Sequence, residues 1–224
     1  MRQLQEIAIT LSLSLNSFIL LLLSLFGAIS TIWKDIEKRH AYTILSYPIA
    51  RWNYLLGRYL GFVFILLIIT LLDFTLSVVC IKICSSIYKS ELPILWGNIF
   101  AAFIFCFLKY SLLLGIGFLF ACVSTSFFTP IFSTITIFIA GNSIQGIVDY
   151  ITKQKAEVSI FIKTVVKILY YVVPNFSAFD LTAYASYSLP LDIKSIMFSI
   201  AYFILYLGII ITLSIIVFST RDLN

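Results

Sequence analysis

Residues 33–57 of this chain read WKDIEKRHAYTILSYPIARWNYLLG, and they separate two long apolar runs. Charged residues make up 11% of the whole chain, yet six of them fall inside this one window. The window predicts a short charged helix that ends before Pro48, because a proline disfavours the helical conformation of the residue before it. A second helix is expected to begin near Arg51 and to continue into the next apolar run. The chain therefore leaves an apolar phase, forms one charged helix and re-enters.

The composition indicates what that apolar phase is. Hydrophobic residues make up 61% of the chain, and its mean hydropathy is +1.07, whereas soluble proteins are about half apolar and about a quarter charged. Runs of about 20 apolar residues are typical of transmembrane helices. Lipid offers the backbone no hydrogen-bond partners, so each span has to satisfy its own groups. The sequence therefore predicts an all-α polytopic membrane protein.

The whole chain, residues 1–224, is predicted to form one membrane domain. Its longest connection, residues 150–192, contains AEVSIFIKTVVKILYYVVP (156–174). This stretch predicts an amphipathic helix that lies on the membrane surface or dips into it, and that stops at Pro174. The expected segments are spans at 7–33, 54–81, 93–123, 127–149 and 193–218, with a charged connection at 34–53 and a tight hairpin, STSFFTP, at 124–130.

The residues that usually carry chemistry are sparse. His40 is the single histidine, and the four cysteines include no CxxC pair. Cys80 and Cys84 share a helical face near the end of a span, where apolar packing is expected over a disulfide or a metal pair. The basic residues are scattered through the connections, as interfacial anchors and orientation signals are. No catalytic residue, metal, cofactor or nucleic-acid partner is predicted.

Among the polar side chains inside the predicted spans, four are candidates for a functional role: Asp73, Lys109, Asn142 and Gln145. Intramembrane charges are costly and mark functional positions by default. At about 1.5 Å per residue, Asp73 and Lys109 differ in height by roughly 10 Å. A direct pair between them, a polar interior lined by Lys109, and simple tolerance by a neighbouring backbone all stay open. Asn142 and Gln145 are expected to bond neighbouring helices.

Residues 27–62, GAISTIWKDIEKRHAYTILSYPIARWNYLLGRYLGF, resemble the ABC-2 type transporter permeases, in particular the branch that includes the nitrous-oxide-reductase maturation permease. Two other stretches resemble the same family, YYVVPNFSAFDL (170–181) before the last span and FSTRDLN (218–224) at the end. The matching residues are Glu37, Thr43, Leu45, Pro48, Arg51, Gly57, Arg58, Gly61, Pro174, Asn175, Phe179, Arg221 and Asp222.

The resemblance implies a permease subunit of an ATP-driven exporter, located in the bacterial inner membrane. Its partners would be an ABC ATPase, a second copy or a related permease, and membrane lipid. Residues 34–53 would be a cytoplasmic coupling segment, and residues 150–192 would be extracytoplasmic. The ATP chemistry would belong to the partner, because this chain contains no G-x-x-x-x-G-K-[ST] loop. The implied docking residues are Asp35, Glu37, Lys38, Arg39, Thr43 and Arg51.

The remaining family-motif residues are assigned structural roles: Pro48, Gly57, Gly61, Pro174, Asn175 and Phe179. Gly57 and Gly61 form a GxxxG, which permits close helix contact, and such contact is expected within the subunit.

Members of this family usually have six spans, so an amphipathic helix and one more span are expected upstream of Met1. With residues 34–53 inside, six basic residues lie inside and eight outside, against the positive-inside rule, although arginines alone split four to one in its favour. Two alternatives from other classes stay open. One is a non-transporting scaffold or a truncated remnant permease, and the other is a membrane-embedded enzyme.

Overall fold

The computed structural model describes residues 4–29, 33–35, 50–87, 93–153 and 160–220. Within these ranges the chain is helix and turn, with no strand. The first helix, α1, continues from its α-helical part into a π-helical turn, Leu23–Ala28. A 3₁₀ turn, Phe176–Phe179, separates α5 from α6. The helices are α1 (Leu4–Leu22), α2 (Arg51–Ile87), α3 (Trp96–Val123), α4 (Phe128–Lys153), α5 (Ile160–Val172), α6 (Thr182–Ser186) and α7 (Ile193–Thr220).

Five of the described helices, α1, α2, α3, α4 and α7, are long and apolar enough to cross a membrane. The prediction of an all-helical, multi-pass membrane protein is therefore confirmed. Most helix ends differ from the predicted ones by a few residues. Helix α2 begins three residues earlier and ends six residues later than predicted, and its 37 residues span about 55 Å. That length exceeds the ~30 Å of the hydrocarbon core, so α2 projects beyond it. Most of the predicted charged helix, residues 36–49, lies outside the described residues.

Helix α3 is the central helix of the bundle. In α3, 72% of the spanning window is buried, against 11–39% in the other four spans. Helices α1, α2, α4 and α7 all pack against it. A helix that is apolar on every side is typical of such a buried position. Its largest buried side chains are Phe103, Tyr110 and Phe118.

The spans alternate in direction, so the molecule has two distinct ends. At one end, the rings of Trp33 and Phe127 meet edge to face at 5.3 Å. At the other, Asn98 donates to the carbonyl oxygens of Tyr184 and Leu189 at 3.1 and 2.8 Å. We call the two ends the first-loop end (residues 29, 33–35, 50–58 and 218–220) and the long-loop end (residues 81–87, 93–98 and 182–194).

Residues 160–192 form a hairpin that re-enters the bundle from the long-loop end. Helix α5 packs along α4, and beyond it the Pro174 carbonyl lies against Gly141. Gly141 is 13 residues from the start of α4, about 20 Å along it and so near mid-depth. The Tyr206 hydroxyl, at a similar depth in α7, donates to the Tyr171 carbonyl at 2.8 Å. Helix α5 therefore dips to the middle of the membrane, and the chain then returns to the long-loop end.

The contact at Gly141 yields a matched test of the hairpin. A Cβ at Gly141 would overlap the Pro174 carbonyl oxygen and the Phe176 ring, whereas a Cβ at Gly146, on the same helix, would meet nothing within 4 Å. We expect Gly141→Ala to lower the free energy of unfolding in detergent by about 1–3 kcal/mol through overpacking. Gly146→Ala should raise it or leave it unchanged, because alanine favours the helix by about 1 kcal/mol over glycine. Equal effects of the two changes would contradict the described docking.

Candidate functional site

A buried carboxylate organises the first-loop end. Asp35 is 7% exposed; its Oδ2 accepts a hydrogen bond from the Tyr54 hydroxyl at 2.9 Å and forms an ion pair with Arg58. Tyr54 and Arg58 are four residues apart on α2, so they share one helical face. The guanidinium also lies over the Tyr54 ring, 5.8 Å from its centroid. This arrangement attaches the residues that follow α1 to the first turns of α2.

The same turns of α2 are attached to the end of α7. Arg51 Nη1 donates to the Ser219 carbonyl oxygen at 3.0 Å, and the rings of Tyr54 and Phe218 stack at 6.0 Å. Of the predicted docking residues, Asp35 and Arg51 are therefore bonded within the chain. Four docking residues and one family-motif residue lie outside the described residues: Glu37, Lys38, Arg39, Thr43 and Pro48.

Asn175 holds the tip of the re-entrant hairpin. Its Nδ2 donates to Gln145 Oε1 at 2.8 Å, and Gln145 Nε2 in turn donates to Asp149 Oδ1 at 3.0 Å. Asn175 Oδ1 accepts from the Ser177 backbone N–H at 3.1 Å, and its own N–H donates to the Tyr202 hydroxyl at 2.9 Å. One side chain thus connects α4 to the 3₁₀ turn, while its backbone reaches α7.

The other residues named from the sequence near the hairpin also help to hold it against the bundle. The Ser177 hydroxyl donates to the Asn142 carbonyl oxygen at 2.7 Å, while the Asn142 side chain donates to the Phe138 carbonyl of its own helix at 3.0 Å. Pro174 is buried just after the end of α5. Phe179 is 1% exposed and lies in the main core. Among the described residues, the Asn142 side chain therefore forms no hydrogen bond to a neighbouring helix, and the prediction for Asn142 is wrong in this respect.

The GxxxG of α2 does not make the contact expected of it. A Cβ at Gly57 or Gly61 would meet nothing within 4 Å, and both residues are exposed. The expected close packing within the subunit is therefore absent from the described part of the chain. The face of α2 that carries Gly57 and Gly61 points away from the other described helices, so the two glycines are not needed for close packing there.

The two intramembrane charges lie at different heights and do not pair. The Phe74 ring contacts the rings of Phe100 and Phe103, each at 5.4 Å, so Asp73 lies near that level of α3. Lys109 follows six to nine residues later, a rise of roughly 9–13 Å. Asp73 Oδ2 is buried and has no hydrogen-bond partner among the described residues.

Lys109 lines a polar cavity of ≈ 140 Å³ between α1, α3 and the returning arm of the hairpin. The sequence singled out Lys109 but not the groups around it, because nothing in the separate segments shows that they converge. A local signal was present in the first span, where Ser14 and Ser17 lie at i and i+3 on one helical face. The polar residues that line the cavity are Ser14, Ser17, Cys106, Lys109, Asp180 and Thr182.

Some of these polar side chains form hydrogen bonds within the protein, whereas others form none with the described residues. Ser17 shares a hydrogen bond of 2.5 Å with the Tyr110 hydroxyl, and Asp180 Oδ1 accepts from the Thr182 backbone N–H at 3.0 Å. Lys109 Nζ lies 5.4 Å from the centroid of the Phe138 ring, and Asp180 lines the same cavity without forming an ion pair with it. Among the described residues, the Lys109 ammonium forms neither a hydrogen bond nor an ion pair.

Comparison with known proteins does not extend the resemblance. No protein-family model matches this chain, and no curated protein matches it. Assignment to the ABC-2 type permeases therefore stays a prediction from the sequence.

The Asp35–Arg58 pair generates a double-mutant test. Arg58→Gln leaves the buried carboxylate without its cation, and we expect a loss of about 1–3 kcal/mol in the free energy of unfolding. The loss falls below that of a fully buried pair because the Arg58 side chain is 35% exposed. Asp35→Asn combined with Arg58→Gln should cost less than the sum of the single changes. Unfolding in detergent, followed by tryptophan fluorescence, measures all three variants.

Lys194→Gln is the control for these variants, because it removes an exposed cation at the opposite end of the bundle, at the start of α7. It should leave the unfolding curve almost unchanged. Strict additivity of the Asp35 and Arg58 changes would show that the two side chains do not interact.

Proposed function

We propose that this chain is the membrane-spanning permease subunit of an ATP-driven exporter of the ABC-2 type. In this proposal a separate ATPase docks from the cytoplasm on residues 34–53. The observation that carries the proposal is the ion pair of Asp35 with Arg58, which attaches the first loop to a transmembrane helix. A loop that only determined the topology would not need a buried charge such as Asp35 at the point where it leaves the membrane.

The geometry supports a route by which force on the first loop could reach the spans. Motion of the loop would displace Asp35, and with it the face of α2 that carries Tyr54 and Arg58. The same face is attached to α7 through Arg51 and Phe218. Helices α2 and α7 pack against each other and against α3. An ATPase that moved the first loop would therefore shift two spans against the central helix.

A second permease, as a copy of this chain or a relative, would complete the transport path. The spanning windows of α2, α4 and α7 are 17%, 22% and 11% buried, so most of their apolar surface is available to lipid or to that partner. Exposed aromatic side chains lie on each of these helices, among them Phe64, Phe132 and Phe198. In this proposal the location is the bacterial inner membrane, with the first-loop end in the cytoplasm.

The docking role is tested by replacing Glu37, Lys38 and Arg39 together with alanine in a tagged chain expressed in its native host. We expect normal membrane insertion but loss of the co-purifying ATP hydrolysis in mild detergent. Loss of charged groups from an interface costs about 2–5 kcal/mol when their partners stay buried and unpaired. ATP turnover in the eluate and the amount of inserted protein are the two measurements.

Lys82→Ala combined with Lys194→Ala provides the matched control, since both lysines are exposed at the long-loop end. This variant should retain the ATP hydrolysis. Retention by the triple variant and loss by the control would contradict the docking site. Absence of ATP hydrolysis from the unmodified chain would instead favour the non-transporting scaffold.

A further inference from the structure

We propose that the cavity at Lys109 binds a small zwitterion, whose anionic group contacts Lys109 Nζ and whose ammonium group contacts the Asp180 carboxylate. The cavity is formed by this chain alone, between α1, α3 and the re-entrant hairpin. This binding is independent of the proposed docking of an ATPase.

The first support is the state of the Lys109 ammonium. It lies 13 residues from the start of α3, about 20 Å along the helix and so near mid-depth. Its described neighbours are the rings of Tyr110 and Phe138, with centroids at 6.0 and 5.4 Å. Such cation–π contacts contribute only about 0.5–2 kcal/mol, far less than the hydration that the ammonium loses. An anionic group in the cavity would supply the missing partner.

The second support is a set of free hydrogen-bonding groups on the same wall. Other hydroxyls of α1 bond to carbonyl oxygens of their own helix, as at Thr10, Ser12 and Ser24. Ser14 forms no such bond among the described residues, although it faces the cavity. Asn16, on the same helix, is fully buried, and neither of its amide atoms forms a hydrogen bond of good geometry with a described residue, although its side chain lies near the Cys106 thiol. The site therefore contains hydrogen-bonding groups that the described residues leave without a partner.

Charge selects the ligand class. The lining carries one cation, Lys109, and one carboxylate, Asp180, which are not in contact with each other. A simple anion would satisfy the ammonium but would be repelled by the carboxylate, and a simple cation would meet the reverse problem. A molecule with both charges, a few ångströms apart, complements both groups.

Size narrows the class further. Pockets for drug-sized ligands measure about 300–1,000 Å³, whereas this cavity measures ≈ 140 Å³. A small free amino acid or the head group of phosphatidylethanolamine fits this limit. Both present an anionic group next to an ammonium, and they differ in whether they arrive from water or from lipid.

Cys106 lines the cavity and provides a reporter of its occupancy. We would replace Cys80, Cys84 and Cys122 with alanine and place the full chain in nanodiscs of phosphatidylglycerol alone. Modification of Cys106 by a small methanethiosulfonate reagent is then timed with glycine, serine, acetate or methylammonium present. A parallel arm compares these discs with discs that contain phosphatidylethanolamine. We expect zwitterions to slow the modification severalfold and the singly charged probes to have no effect.

Substitutions inside and outside the cavity test whether the protection of Cys106 depends on Lys109 and Asp180. Loss of a hydrogen bond to a charged group should weaken protection about ten- to a hundredfold in Lys109→Gln and in Asp180→Asn. Lys167→Gln and Asp192→Asn remove the same charges outside the cavity, and asparagine can still cap α7 at position 192. Both controls should retain protection.

A shift of the thermal unfolding temperature with the same probes gives an independent reading of binding. Protection by free glycine or serine would identify a soluble ligand, and protection only in phosphatidylethanolamine discs would identify a lipid head group. Equal protection by acetate would make this an anion site and overturn the proposal. The proposal would also be wrong if no probe altered either measurement, since the cavity would then hold only water.

Discussion

The absence of water from the bilayer interior determines most of this structure. A polar group that leaves water must find its partner inside the protein, or it costs several kcal/mol. The helical backbone satisfies this condition within each span, and many span hydroxyls satisfy it by bonding back to their own helix, as Thr70 and Ser214 do. The hairpin satisfies it with side chains, because its backbone is irregular near mid-depth. Asn175 Oδ1 accepts from the Ser177 backbone N–H, and the Tyr202 hydroxyl accepts from the Asn175 backbone N–H.

The same constraint makes the exceptions informative. Asp35 is buried but fully engaged, so its cost is offset by Arg58 and Tyr54, and its position joins the first loop to the spans. The Lys109 ammonium forms no hydrogen bond and no ion pair with the described residues, and a cavity lies beside it. One end of the bundle thus has a buried ion pair that links the first loop to the spans, and the middle has a polar cavity.

The number and approximate ends of the spans could be predicted because each depends only on its own residues. Lys109 and Asp73 could be placed at different heights for the same reason, since helical rise is constant. The partners of these residues could not be predicted, because Asp180 and Ser14 lie far from Lys109 in sequence. The local pattern of α5 left surface and dipping placements open, and its contact with α4 distinguishes them. The GxxxG suggested packing that the helix orientation does not provide.

The central claim is that the two ends face opposite compartments, with the first-loop end in the cytoplasm, where ATP is available. Single cysteines in a cysteine-free chain test this most directly, at Ala50 on the first-loop end and at Ala183 on the long-loop end, both exposed. Intact cells would be treated with a membrane-impermeant maleimide before and after permeabilisation. The account predicts that Ala183→Cys is labelled in intact cells and that Ala50→Cys is labelled only after permeabilisation. The reverse pattern would place the first loop outside the cell, beyond the reach of any ATPase, and would contradict the account.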